Sequence, residues 1–233
     1  HSPMPWVFAT HRREDVPDVM THLLELEQGR IRHRGATRAA QARELLQQEQ
    51  HAFLVERPAA PRRTPRRQRV LVALRNADVH VDDAHILHGI DLQVATGDCW
   101  VVHGPNGSGK STLLRTIYGD HAVASGGSIV RDGIVAGVPL EAFRLRTAHV
   151  APHLQTWHAP KMAVMDVVAS GRYASIGLND AITAHDRRCA ERALRRFGLF
   201  GLRNRTLAEL SYGQARRVLF ARAWVREPRL ALL

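Results

Sequence analysis

Gly104-Pro105-Asn106-Gly107-Ser108-Gly109-Lys110-Ser111-Thr112 follows directly on the apolar run Cys99-Trp-Val-Val-His103 and continues into Leu113-Leu-Arg-Thr-Ile-Tyr118. The spacing G-x-x-x-x-G-K-S, set between a strand-like and a helix-like segment, predicts a phosphate-binding loop. Its glycines let successive backbone N–H groups turn inward around phosphate oxygens, and the helix that follows adds the positive end of its dipole. Lys110 is the charge expected to neutralise the outer phosphates. The Ser111 hydroxyl is placed to complete the shell of a Mg²⁺ ion, which keeps most of its waters and takes one or two protein ligands. Composition agrees: of 33 basic residues, only Lys110 and Lys161 are lysines. In a chain that otherwise uses arginine, a compact point charge stands where a planar fork would fit poorly.

Around this loop the chain reads as strands alternating with helices. Upstream, Val70-Leu74, Ala77-Val81 and Ile86-Val94 are predicted strands, and Thr96-Gly97-Asp98 turns the chain into the loop strand. Downstream, strands are expected at Ser128-Arg131 and Thr147-Ala151, and helices at Leu140-Leu145, Val164-Ser170, Asp180-Phe197 and Tyr212-Arg226. Leu230-Ala-Leu-Leu233 reads as a further buried strand. That alternation, with a phosphate loop at a strand's C-terminal edge, predicts an α/β fold with a covered parallel sheet.

Before Val70 the pattern changes. Pro58-Ala-Ala-Pro-Arg-Arg-Thr-Pro65-Arg-Arg-Gln-Arg69 combines prolines with repelling charges, so residues 58–69 are expected to form an extended linker. Ahead of it, Trp6-Val-Phe-Ala-Thr10 reads as a buried strand meeting His11. Glu14-Met20 reads as a short helix, His22-Glu27 as a strand, Gly29 as a turn and Ala36-Leu54 as an amphipathic helix. The chain starts at His1 without a methionine and its first strand has no earlier partner, so it is expected to be an internal fragment.

No run approaches the roughly 20 apolar residues of a membrane span, and the N-terminus does not have the basic and apolar blocks of a signal peptide. Cys99 and Cys189 give no disulfide framework and no metal-ligand spacing, which fits a reducing cytoplasm. The net charge of +11 invites a nucleic-acid partner. The arginines, however, are spread along the chain, with their densest group in the linker.

A second motif selects among phosphate-loop proteins. Leu210-Ser211-Tyr212-Gly213-Gln214 offers Ser211 as a helix cap and Gly213 for close backbone approach, so the helix that follows can face a phosphate. It resembles the Leu-Ser-Gly-Gly-Gln signature of ABC-type ATPases. Residues 70–233 together resemble an ABC nucleotide-binding domain. Gly97-Asp-Cys-Trp100, Gly104-Pro-Asn, Tyr118-Gly-Asp-His121 and Ser170-Gly-Arg-Tyr173-Ala-Ser-Ile-Gly177 are similar to the tandem ABC proteins of the molybdate-uptake type. The resemblance implies a parallel core sheet with flanking helices, an antiparallel β subdomain and a helical subdomain that carries the signature.

It also implies a residue-by-residue site. Gly104, Pro105, Asn106, Gly107, Ser108, Gly109, Lys110, Ser111 and Thr112 would bind ATP, with Ser111 on Mg²⁺, and Ser211, Tyr212, Gly213 and Gln214 would face a γ-phosphate. Residues 1–57 would be the closing segment of a first ABC domain, with His11 as its catalytic switch histidine, and 70–233 a second domain. In such a head-to-tail pair His11 and Ser211 are expected at one ATP and Lys110 at the other. Three positions depart from the family. Val81 stands where an adenine-stacking aromatic is usual. His153 or Gln155 stands in for the glutamine after the strand near Val150. The Asp and Glu of the metal and attacking water are expected just past Leu233, so this chain alone is expected to turn over little ATP. The implied function is an ATPase energising transport, with molybdate or a similar oxyanion as the expected solute, a membrane permease as partner and a place at the inner face of the cell membrane. The alternative is a soluble tandem ABC protein acting on nucleic acid or ribosomes.

Overall fold

The computed structural model describes residues 4–46, 69–132, 134, 139–150, 159–173 and 182–233. The chain forms two compact units, residues 1–134 and 135–233.

The first unit is organised around the strand that feeds the phosphate loop. Cys99–His103 is buried at all five positions, as a parallel strand covered on both faces should be. Its neighbours come from the N-terminus. Strand β1 (Trp6–Thr10) runs parallel to it from Trp6↔Cys99 to Thr10↔His103. Strand β2 (His22–Glu27) runs parallel along its other edge, from His22↔Trp100 to Glu25↔His103. Strand β3 (Arg30–Ala36) closes that side antiparallel to β2. The expected boundary at 58–69 therefore does not set residues 6–36 apart: both edges of the loop strand need backbone partners, and β1 and β2 supply them. Residues 58–68, and the predicted helix beyond Leu46, lie outside the described residues.

Side chains reinforce this pairing. Thr21 Oγ1 accepts a hydrogen bond from Cys99 N at 2.7 Å, and Thr21 N donates to Cys99 O at 2.8 Å. His22 stacks on Trp100 with ring centroids 4.5 Å apart. Below them Val16, Met20, Leu23 and Val101 pack against Ala39, Ala42 and Leu46, on and just after helix α1 (Ala39–Leu45). Glu14–Met20 forms turns rather than the expected helix. Pro17 sits inside it and removes a donor that a helix would need.

A three-stranded antiparallel sheet completes this unit. Strand β4 (Val70–Val81) is one strand where two are expected, and β5 spans Ala84–Ala95. Asp82 and Asp83 join them in a two-residue turn with φ of 48° and 66°, the left-handed pair that suits the twist of a hairpin. With the loop strand numbered β6, strand β7 (Ser128–Arg131) pairs with β4.

In the second unit β8 (Thr147–His149) and β9 (Leu230–Leu232) pair in parallel. Helix α3 (Glu141–Arg144) precedes β8. Three helices, α4 (Val164–Ser170), α5 (Ala184–Arg196) and α6 (Tyr212–Trp224), bury Val167, Val168, Ala190, Leu194, Val218 and Ala221 among themselves. At Gly171 an added Cβ would lie 2.2 Å from Arg222 O, so the chain after α4 passes α6 at backbone contact. Parallel strands, an antiparallel sheet and a helical layer are the α/β elements the sequence predicts.

Candidate nucleotide site

Helix α2 (Lys110–Tyr118) starts directly from the loop. Gly109 caps it in the left-handed region at φ 96°, no side chain caps its first turn, and that turn holds no acidic residue. Its N-terminal N–H groups are thus left for an anion. At the other end Gly119 takes an αL conformation, and Arg131 donates from Nε to Ile117 O at 2.8 Å and from Nη2 to Thr116 O at 2.6 Å. A cation there complements the dipole.

Two glycines make the cradle possible. An added Cβ at Gly104 would lie 2.1 Å from Leu26 O, and at Gly109 2.7 Å from Leu87 Cδ2. The loop therefore rests against β2 on one side and β5 on the other. The Lys110 ammonium donates to Gly104 O at 2.8 Å and Pro105 O at 2.7 Å, and burial lowers its pKa. With three donors it has capacity beyond those two carbonyls. Ser108 is 2% exposed and its Oγ has no hydrogen-bond partner among the described residues. Ser111 is exposed at the start of α2. An open helix N-terminus, an ammonium, a free hydroxyl and a cradle that a Cβ would fill all suit the phosphates of a nucleotide and its Mg²⁺.

His11 leaves β1 one residue past Thr10, which pairs with His103. It is exposed, and the register sets it beside Gly104, on the loop that carries Lys110 rather than apart from it. Thr10 Oγ1 donates to Asp15 Oδ2 at 3.1 Å and accepts from Arg12 N at 3.0 Å, which fixes the turn that carries His11.

The signature residues lie in the second unit. Ser211 caps α6: its Oγ accepts from Gln214 N at 3.3 Å, and Gln214 Oε1 accepts from Ser211 N at 3.0 Å. This is a capping box. Ser211, Tyr212 and Gly213 are exposed, Tyr212 to 66%, and a Cβ on Gly213 would meet nothing within 4 Å. The motif thus presents an open face at a helix N-terminus. His153, Gln155 and the 174–177 segment lie outside the described residues.

The sequence reading missed the surroundings of Val81. His80, His85 and His88 gather there around Asp78, with rings of His80 and His85 stacked at 4.3 Å and those of His85 and His88 at 3.8 Å. Burial lowers the His88 pKa, as do the charges of His85 and Arg30, with Asp78 opposing. The signal was present as Asp78-x-His80 and His85-x-x-His88, on and beside two predicted strands. Elsewhere in this unit a cleft of about 550 Å³ opens beside Arg34, Arg75, Asp91 and Trp100; no phosphate-loop residue lines it.

A strand, glycine loop and bare helix N-terminus, with a serine-capped helix of exposed Tyr-Gly in the second unit, define an ABC-type nucleotide-binding domain, the class of ATP hydrolases. The ABC transporter family model matches residues 87–233, and the chain belongs to that family. It is 31% identical over 183 residues to the ABC transporter ATP-binding protein ModF of Escherichia coli, covering 76% of this chain and 36% of that protein. With the manganese transport system ATP-binding protein MntB of Bacillus subtilis it shares 37% over 153 residues, 65% of this chain and 59% of the relative. The solved structure of cbiO1 from Clostridium perfringens, part of the ABC transporter complex cbiONQ, matches with a TM-score of 0.57 and 25% identity, covering 70% of this chain and 65% of that one. The chain thus spans between about a third and two thirds of the lengths of these relatives.

Proposed function

We propose that this chain binds Mg²⁺-ATP at Gly104–Thr112 and belongs to a protein that hydrolyses ATP to energise solute transport through a membrane permease. The observation that carries the reading is the uncapped N-terminus of α2 beneath the Lys110 ammonium. The loop's backbone and Lys110 hold and neutralise phosphate oxygens, Ser111 offers its hydroxyl to the metal, and His11 stands at the loop's edge to contact the outermost phosphate. Bound Mg²⁺ supplies charge to the phosphoryl group as it transfers. A second ABC domain brings its own signature to this ATP, while Ser211–Gln214 face the ATP of that second domain.

The pairing of β1 and β2 with the loop strand supports reading residues 6–36 as part of the same nucleotide-binding fold as that loop, with 58–69 as a linker within it. Molybdate or a similar oxyanion is the solute we favour, supported by the match to ModF over 76% of this chain. No helix among the described residues is long and apolar enough to cross a membrane.

Thermal unfolding with and without Mg²⁺-ATP tests the binding step. ATP raises the midpoint of the wild-type chain, and Lys110→Ala removes most of that rise. Equal shifts in both would overturn the phosphate assignment. For the solute, the full-length gene is deleted in its host and molybdate uptake is followed; unchanged uptake refutes that choice and leaves ATP binding standing.

A further inference from the structure

We propose that Asp78, His85 and His88 form a binding site for a borderline divalent transition-metal ion, of which Zn²⁺ is the representative, on the β4–β5 hairpin. Each residue offers one donor atom, and the three atoms all lie within 4.8 Å of one another. Two imidazoles and one carboxylate are the donors of zinc, nickel, cobalt or copper, whereas Mg²⁺ and Ca²⁺ take oxygen. Tetrahedral ligands at metal bonds of about 2.1 Å stand about 3.4 Å apart, so a small inward movement of side chains closes the site. Three protein ligands leave a fourth position for water.

The backbone shows how residues three apart come to one face. In a regular strand His85 and His88 would point to opposite sides of the sheet. Here His80 pairs with His85 and Val79 with Leu87, so one step along β4 corresponds to two along β5, and Ile86 is the extra residue. That bulge reverses the alternation and returns His88 to the side of His85. Further along, Ala77 pairs with Ile90, which leaves His88 and Gly89 opposite Asp78.

The donors are held independently of any ion. Asp78 Oδ1 accepts from Gly89 N at 2.9 Å and from His85 Nε2 at 2.9 Å. The backbone donor fixes the carboxylate from behind, as an outer partner of a metal ligand does. His80 stacks over His85 at an interplanar angle of 15° and limits its ring rotation. His88 N donates to Gly29 O at 2.9 Å, and an added Cβ at Gly29 would lie 1.9 Å from Ile86 O. The turn before β3 thereby clamps the bulge. The same bulge touches the phosphate loop through Leu87 and Gly109, so an ion here stiffens a wall of the nucleotide cradle.

The experiment titrates the untagged, nucleotide-free chain with Zn²⁺ alone by calorimetry, and with Co²⁺ by visible absorption. One equivalent binds, with the Co²⁺ spectrum of a nitrogen–oxygen tetrahedral site. His85→Gln, His88→Gln and Asp78→Asn each weaken Zn²⁺ binding by at least about tenfold, and circular dichroism shows that each variant is folded. Lys110→Ala binds Zn²⁺ as the wild type does, which separates this site from the phosphate loop. Absence of binding at micromolar Zn²⁺, or equal affinity in wild type and in the folded His85→Gln and His88→Gln variants, overturns the proposal. So does loss of binding in Lys110→Ala alone.

Discussion

Thr10 and His103 face each other across the β1–β6 ladder, so that His11 and Gly104 leave the sheet side by side. The pairing makes an N-terminal strand part of the frame of a phosphate loop far along the chain. The frame depends on one hydroxyl in particular. Thr21→Val keeps the shape of that side chain and removes the acceptor of Cys99 N, leaving a strand donor unpaired. A loss of about 1–3 kcal/mol is expected, measured by urea unfolding monitored at the tryptophans. A stability equal to wild type would mean that β6 does not rely on the Thr21 hydroxyl.

The glycines of the loop separate crowding from conformation. Gly104→Ala places a methyl 2.1 Å from Leu26 O, while Gly107, at φ 81°, has nothing within 4 Å of an added Cβ. Gly107→Ala is therefore expected to cost only backbone strain, about 1–2 kcal/mol. Gly104→Ala must in addition push the loop off β2, and both greater instability and loss of the ATP-induced thermal shift are expected. If the two variants behave alike, the contact with Leu26 has no role in shaping the loop.

Acid sensitivity of the helical unit centres on Asp186. Its carboxylate accepts from Thr183 Oγ1 at 2.5 Å, Tyr173 Oη at 2.6 Å and Arg172 Nε at 3.0 Å. These donors, Thr183 first, hold its pKa far below the ordinary carboxylate value. A depressed folded pKa stabilises above the unfolded value of about 3.9 and loses that contribution as pH falls through and below it. Asp186→Asn is expected to lower stability by on the order of 2 kcal/mol at neutral pH. The difference from wild type should shrink as pH drops below about 4. A difference that stays constant from pH 7 to pH 3 would show that the charge is not what these donors recognise.

The phosphate loop and the serine-capped helix were readable because each is a local device: spacing alone puts Gly109 before Lys110 and Ser211 before Gln214. The positions of the strands and helices in the second unit were readable too, although strand β8 ends at His149 rather than Ala151. The association of β1 and β2 with β6 was not readable, since nothing in Trp6-Val-Phe-Ala-Thr10 names a partner so distant in sequence. Strand β3 was missed because its alternating Arg-Ile-Arg-His-Arg reads as solvated charge until β2 is beside it. The histidine cluster was hidden by the bulge at Ile86. Period-two alternation sends His85 and His88 apart, and only the extra residue brings them together.

The neighbours of β6 have a consequence for the order of events during synthesis. β2 and β3 are neighbours in sequence and pair as a local hairpin, but the edges of β1 and β2 that receive β6 stay unpaired until residues 99–103 follow. Pairing across so long a separation closes a large loop and is slow. Before the closure, apolar residues such as Val7, Leu23 and Leu24 lie on unsatisfied strand edges, where another nascent chain could add itself. Phosphate can be held only after residues 99–103 insert between β1 and β2, and the interval before that insertion leaves those strand edges open to other chains.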